Sequence, residues 1–581
     1  MTVPVLWLSL HPETPKRGYW DMGMLEHIFE GTLYNPALGY EYDNREVDYI
    51  PKTLEGAIVV LPARYHVEDI DELNKQLARL KWVLLILAND EESLFSREKL
   101  KHPNMKVYVM TPRPQHDDKP YDLLIGEGFP KDARKLLKAA KTEAMERPLD
   151  YWFSGQITHS RRRDLVKALH TVLEFSDNNK LVGEWQETAG FTQGLPHPLY
   201  YKAMASAKAV PCPSGPATPD SFRLFEALEA GCVPIADNCT PPETGAGVTG
   251  YWRYLYPDAP FPMIDDYEFL QGKLTDVRDN YPTLNNKVFA WWQNYKRWLV
   301  HKIVDDVHKL SGVEPTAEDS KKLITIIVPT SIIPSHPDTS MIEHTIADIR
   351  TQLPDSEIII TIDGLRAQQS DRAADYQEYI RRLLWLCNHE WTNVLPVVFE
   401  EHMHQASMAR ESLKLVKTPL ILYVEHDAPI TPDREFEWSS LIYLVLNGTA
   451  NVIRFCHEEL ILPDYKHMML DEKPQRPFNW VNMMRTMQWS QRPHLASTAF
   501  YRQMIDTHFN PDSKTMIEDV MHGVVHSHVE REGEMGWNLW RLWIYCPDSD
   551  SLGIKRSYHL DGRGADPKFD MIIKPVNKEP K

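Results

Sequence analysis

The order of apolar runs predicts an α/β protein built from several largely parallel sheets, and three observations carry that prediction. In the first part of the chain, Val3–Leu10, Gly56–Leu61, Trp82–Ala88 and Met105–Met110 are short apolar runs, each followed by polar or amphipathic sequence. A second series begins at Leu149. A third follows the polar stretch Ser311–Lys321, with Leu323–Val328, Glu357–Ile362, Val394–Phe399 and Leu420–Val424 as its strands. Unbroken apolar runs of this length are what strands covered on both faces show.

Length and composition bound the rest. A chain of 581 residues exceeds one hydrophobic core, so two or three domains are expected. Apolar content of 43% with 17 tryptophans describes a folded globular protein. No apolar run reaches the length of a membrane-spanning helix, and the opening MTVPVLWLSLHPE lacks a basic region and a cleavage site. Six cysteines without metal-type spacing fit reduced thiols, so a cytoplasmic location is expected. A net charge of -18 speaks against broad polyanion binding but leaves room for a local basic groove.

Taken in order, Lys131–Lys141 reads as a helix with a basic face, either a solvated surface or a binding patch. Tyr151–Gly155 reads as a strand that breaks at a glycine, and Ser160 caps a helix carrying Arg161, Arg162 and Arg163 in its first turn. Cations oppose the macrodipole there. They imply an anionic neighbour or solvent exposure, with exposure expected for at least two of the three. Asp220–Ile235 reads as loop, helix, glycine C-cap and buried strand. Arg223 and Glu226 share one face near that helix's start, where a guanidinium and backbone N–H groups suit a diphosphate and a carboxylate suits a ribose diol. A surface ion pair fits the same spacing.

The segment S-F-R-L-F-E-A-L-E-A-G-C-V-P-I resembles the signature of exostosin-type glycosyltransferases, and F-S-G-Q-I-T-H-S-R-R-R resembles the strand-glycine-arginine element before it. The resemblance implies a GT-B pair of Rossmann-like lobes, an acceptor lobe over 1–145 and a donor lobe over 146–310. It implies Arg223 on the donor diphosphate, Glu226 on its nucleoside and Ser221 in the same binding set. Asn285–Leu310 is an aromatic-rich helix whose tryptophans are core residues or sugar-stacking platforms. A linker over 311–321 then leads to a further domain over 322–575.

In that domain Leu420–Val424 ends abruptly in Glu425-His426-Asp427, at the strand end where open α/β sheets bind ligands. Carboxylates two apart on an extended segment point the same way and suit a hard divalent cation; a charged strand exit is the plain alternative. Asp363-Gly364 ends an earlier strand, where the aspartate could meet a base or ribose or serve a turn. Gln405–Val416 is a helix containing Ala409-Arg410.

This order resembles the family-2-like GT-A glycosyltransferases, with Glu425-His426-Asp427 in place of the D-x-D motif and glutamate departing at its first position. The resemblance implies that Asp427, with Glu425 nearby, binds a divalent cation, Mn2+ or Mg2+, bridging the donor's phosphates. It implies Asp363 and Arg410 as donor-binding residues and His559 completing the metal shell, with Asp561 as second choice. Met516–Val520 resembles the acidic pair of inverting enzymes, Asp519 as general base with Glu518 beside it; an acidic first helical turn reads the same way. His522, His526 and His528 lack a nearby cysteine or acid pattern and define no zinc site.

The expectation is a hexosyl- or pentosyltransferase with two modules, moving sugar from nucleotide-diphosphate sugars, UDP-sugars first, to hydroxyl acceptors in one or two successive transfers. The acceptor would be a hydroxymethylated base in phage DNA or a cytosolic-side glycan. Lys131–Lys141 and His159–Arg163 would be the DNA-facing segments. The rival is a carbohydrate-binding or scaffolding protein with an inactive module. A nucleotidyltransferase would need a glycine-rich loop that Pro329–Pro337 lacks.

Overall fold

The computed structural model describes residues 2–14, 17, 22–34, 40–113, 121–140, 147–174, 181–189, 194–313, 320–333, 337–457, 463–478, 481–512, 514–546 and 555–560. They form two compact units. The first holds the described residues through 313 together with 384–392, and the second holds the others from 320 onward.

The first unit contains two parallel sheets. Strands β1 (Thr2–Leu8), β2 (Glu41–Val47), β3 (Gly56–Pro62), β4 (Trp82–Ala88), β5 (Met105–Met110) and β6 (Leu123–Ile125) lie in the order β2-β1-β3-β4-β5-β6. β3 and β4 are buried along their whole length, and Val59, Leu61, Val83 and Leu85 pack with Leu73 and Leu77 of the helix Ile70–Leu77. Each such fully buried aliphatic side chain contributes about 1.5–3 kcal/mol. β2, EYDNREV, is a polar edge strand that hydrophobic pattern does not announce.

The second sheet is formed by β7 (Leu149–Gly155), β8 (Gly183–Glu187), β9 (Ala207–Cys212), β10 (Val233–Asp237) and β11 (Met263–Ile264), in the order β11-β10-β9-β7-β8. The helix Phe222–Glu229 ends at Ala230, and Gly231 follows with φ +66°, the left-handed residue that turns the chain into β10. A helix over Thr283–Ser311 packs on both sheets, touching β4 and β5 of one and β10 of the other. Its Trp292 is fully buried and donates to Glu229 at 2.8 Å, so this tryptophan is core, whereas Trp298 is 47% exposed.

The second unit carries a nine-stranded mixed sheet. Its strands are β12 (Ile324–Thr330), β13 (Ile358–Ile362), β14 (Val394–Val398), β15 (Leu420–Tyr423), β16 (Val452–Phe455), β17 (Gln475–Phe478), β18 (Val481–Arg485), β19 (His494–Ser497) and β20 (Leu542–Tyr545). The order is β14-β13-β12-β15-β19-β16-β20-β18-β17. The first four strands are parallel, and β19 runs antiparallel between β15 and β16. The chain is thus α/β, with two parallel Rossmann-like sheets and a third, mixed sheet. No helix among the described residues is long and apolar enough to cross a membrane.

Each sheet has a place where the chain leaves neighbouring strands in opposite directions: β1/β3, β7/β9 and β12/β15. Crevices at the carboxyl ends of such strands are where open α/β sheets hold ligands.

Candidate functional site

At the β7/β9 switch point, Ser221 caps the helix Phe222–Glu229 by accepting from the Arg223 N–H at 3.4 Å. Arg223 is buried, donates Nη2 to the Ser154 carbonyl at 2.6 Å and lies 5.0 Å from the Phe153 ring centroid. Gly155 leaves the space for it: a Cβ there would stand 2.9 Å from Nη2. Arg162 reaches the same place, donating to the Gln156 carbonyl at 3.2 Å. Burial, and next the charge of Arg223, push the Arg162 guanidinium down to about 10. His159, buried nearby, is pushed down to about 4 by burial and by Arg162, so it stays neutral. Arg223 itself is shifted upward, its burial being outweighed by the Tyr200 hydroxyl and the Glu226 carboxylate, so the unfavourable charge falls on Arg162, the guanidinium an arriving anion would relieve.

The expectation of solvent exposure for two of the three arginines is corrected here. Only Arg163 is exposed. Arg161 donates Nε to Asp237 at 3.0 Å and Nη2 to the same carboxylate, a fork closed by an acid at the end of β10 that lies 76 positions away. Glu226 accepts from Tyr200 at 2.9 Å and Tyr201 at 2.6 Å, both on the helix His197–Ala205. Burial raises its pKa against those two donors.

In the second unit, Glu425, His426 and Asp427 form a tight turn, closed by the Ala428 N–H donating to the Glu425 carbonyl at 3.0 Å. Strand alternation therefore does not aim the two carboxylates, as an extended segment would have done; the turn does. Glu425 accepts from Gln405 Nε2 at 2.7 Å, and Gln405 Oε1 accepts from the Ile517 N–H at 2.9 Å. Ile517 opens the helix Ile517–Glu532, whose first turn carries Glu518 and Asp519. Glu518 accepts from the Gln491 N–H at 3.0 Å, while Asp519 is exposed.

Residues 556–560 run antiparallel to 427–431, with Leu560 N–H on the Asp427 carbonyl at 2.9 Å and Tyr558 N–H on the Pro429 carbonyl at 3.2 Å. This pairing sets His559 beside the turn. Its ring lies 4.4 Å from that of His457, whose imidazole is held well below its usual range by burial, then by Arg492 and His559. Asp561 lies outside the described residues. The ligand atoms of Glu425, Asp427 and His559 are not gathered within 4.8 Å of one another among the described residues. Their chemistry, two carboxylates and an imidazole, still suits Mn2+ or Mg2+, which take one or two protein carboxylates and complete their shell with phosphates and water.

Asp363 and Arg410 have other occupations. Asp363 accepts from the Gly364 N–H at 2.9 Å and the Met403 N–H at 2.6 Å, and pairs with His402 at 2.8 Å. A Cβ on Gly364 would meet the Glu401 backbone at 2.1 Å, so this crossing requires glycine. Asp363 thereby fixes the loop that delivers Gln405. Arg410 donates to the Ile505 and Phe509 carbonyls at 3.1 and 2.6 Å, closing the end of the helix Thr498–His508. Sequence reasoning missed Gln405, Gln491 and His457 as site residues, and none of the three carried a local signal; Arg162 was singled out only as one of three cations where the helix dipole disfavours them.

No family model matches the chain, and no curated protein matches it. Among solved structures it is similar to S. aureus TarS 1-349 at 14% identity and TM-score 0.25, over 41% of this chain and 60% of that one. The same protein in complex with UDP-GlcNAc aligns at 13% identity and TM-score 0.25, over 40% and 57%. The mannosyltransferase PcManGT from Pyrobaculum calidifontis, in complex with GDP-Man and Mn2+, aligns at 16% identity and TM-score 0.25, over 39% and 55%. The chain thus spans less than two thirds of the length of these proteins. A likeness this slight says nothing of substrate.

Proposed function

We propose that the chain is a glycosyltransferase with two nucleotide-sugar sites, one at the β7/β9 switch point and one at β12/β15. The observation that carries this reading is in the second unit. One glutamine joins the acidic turn after β15 to the acidic first turn of the helix Ile517–Glu532, and a strand pairing brings His559 to the same turn.

In that unit Asp427 and His559, with Glu425, would hold a divalent cation, which would supply the positive charge that neutralises the donor's diphosphate. Asp519, exposed beside the anchored Glu518, accepts the proton of the acceptor hydroxyl. Gln405 keeps Glu425 in place, and Asp363 keeps Gln405 in place. In the first unit, Arg223 and Arg162 take the donor diphosphate without a metal, with Ser221 capping the helix that presents it and Glu226 holding the tyrosines on its far side. The acceptors this reading expects are hydroxyls, of a glycan or of a hydroxymethylated base in DNA.

The test is turnover of UDP- and GDP-sugars by the purified chain with Mn2+, against simple glycans and hydroxymethylated DNA. Asp427→Ala should abolish the metal-dependent release of nucleoside diphosphate, and Arg223→Ala should remove the metal-independent part. Release unchanged in Asp427→Ala refutes the cation assignment. Absence of any nucleotide-sugar binding to either unit refutes the whole reading in favour of a scaffolding protein.

A further inference from the structure

At the β1/β3 switch point three side chains with metal-ligating atoms meet. His11 follows β1, His66 closes the short turn after β3, and Asp69 stands just before the helix Ile70–Leu77. Asp69 Oδ2 lies 2.7 Å from His11 Nε2 and 3.0 Å from His66 Nδ1, and the two imidazoles stack with centroids 5.3 Å apart. One ligand atom from each of the three falls within 4.8 Å of the other two, which no other such trio among the described residues achieves.

Two features single the trio out. An aspartate directly before a helix usually turns its carboxylate back to the helix N–H groups, yet Asp69 makes no such bond, and its Oδ2 faces the imidazoles. His66 is fully buried, and its Nε2 has no hydrogen-bond partner, so only its Nδ1 edge is engaged. The backbone around His11 is tied down as well. Ser9 N–H donates to the Val47 carbonyl at 3.0 Å, and the Thr14 hydroxyl donates to the His11 carbonyl at 2.6 Å. With its side chain 51% exposed, His11 leaves the outer side of the trio open.

We propose that His11 Nε2, His66 Nδ1 and Asp69 Oδ2 bind a borderline divalent ion of the Zn2+ class. Two imidazoles and one carboxylate favour such an ion over Mg2+ or Ca2+, and three protein ligands leave a position for water or a ligand hydroxyl. The trio lies beyond the carboxyl ends of β1 and β3, at the switch point where open α/β sheets hold ligands. This site stands independently of the sugar-donor reading, because it uses neither donor-site residues nor the second unit.

The test uses the full chain with Asp427→Ala as background, so that the second unit supplies no competing cation site. The protein is stripped with chelator and titrated with Co2+, read by visible absorption and calorimetry. One equivalent is expected to bind with ligand-field bands that Zn2+ then displaces. Adding His11→Ala or Asp69→Asn, both at accessible positions, should weaken binding by at least about tenfold to a hundredfold, the loss that removing even an outer-shell partner brings. Saturating Zn2+ should raise Tm in the background chain and not in those variants. Co2+ bound equally well by both variants, or not bound at millimolar concentration, overturns the proposal and leaves Asp69 as a carboxylate joining two imidazoles.

Discussion

Gln405 is hydrogen-bonded to Glu425 at 2.7 Å through its amide nitrogen, while its amide oxygen takes the Ile517 N–H at 2.9 Å. A single side chain thus couples the turn after β15 to the helix that carries Glu518 and Asp519. Gln405→Leu keeps the volume and removes both bonds, leaving a buried N–H unpaired at a cost of about 1–3 kcal/mol. Turnover by the second unit should fall roughly ten- to a hundredfold, with a smaller change in KM for the nucleotide sugar, because the acids lose their mutual placement. Steady-state kinetics beside a thermal melt check it; an unchanged kcat would show that the bridge is structural only.

Arg162 gives opposite signs in two assays. Its guanidinium is disfavoured by burial and by Arg223 in the free protein, so Arg162→Met should stabilise that protein by on the order of 1 kcal/mol. The same variant should bind nucleoside diphosphate at least about tenfold more weakly, since a charge-assisted contact is lost. Denaturant unfolding and calorimetric titration read the two effects separately.

Asp220 predicts a pH dependence. It is buried, accepts from the Tyr251 hydroxyl at 2.9 Å and the Glu127 N–H at 3.1 Å, and its Oδ1 has no partner. Burial outweighs those bonds and pushes the carboxyl up to about 7 from an ordinary 3.8. Between those values the folded state binds more protons than the unfolded chain. The contribution of Asp220 to stability is therefore present at low pH, falls as pH rises from about 4 to 7 and is lost above that. Asp220→Asn should flatten this part of the stability profile and be the more stable form at pH 8.

Glu229 tests the core of the first unit. It is fully buried, takes Lys296 and the Trp292 indole, and lies 3.3 Å from Arg134. Those cations hold its carboxyl down to about 2 despite burial. Glu229→Ala removes the only carboxylate paired with Lys296 among the described residues, leaving that lysine, itself 4% exposed, the Asn388 amide oxygen at 2.6 Å, and should cost about 3–5 kcal/mol. Lys296→Met should cost clearly less, because Arg134 remains to Glu229. Chemical denaturation of the pair decides it.

The strands buried on both faces were legible as apolar runs: Trp82–Ala88 and Met105–Met110 stand where the pattern put them. The strands that were not legible are those whose partners, not whose composition, make them strands. β2 is polar because it is an edge, and β18, β19 and β20 pair across long separations that no local period encodes, with β17 attached to them only through its hairpin with β18. The same holds for the candidate sites. Arg223 and Asp427 could be named from their neighbours in sequence. Gln405 could not, since its significance is an acceptor 20 positions ahead and a donor 112 positions ahead.

The sequence by itself determined which segments could be buried and where acids and cations would end strands or open helices, because burial and helix electrostatics are local matters of period and charge. Only the tertiary structure decided what those charged groups do. Asp363 was turned to a loop backbone, Arg410 to a helix end and Glu226 to two tyrosines, while Arg162 was brought against Arg223 and His11 against Asp69. The reason is physical: a side chain's free energy depends on the partners that meet it once water is excluded, and sheet topology chooses those partners.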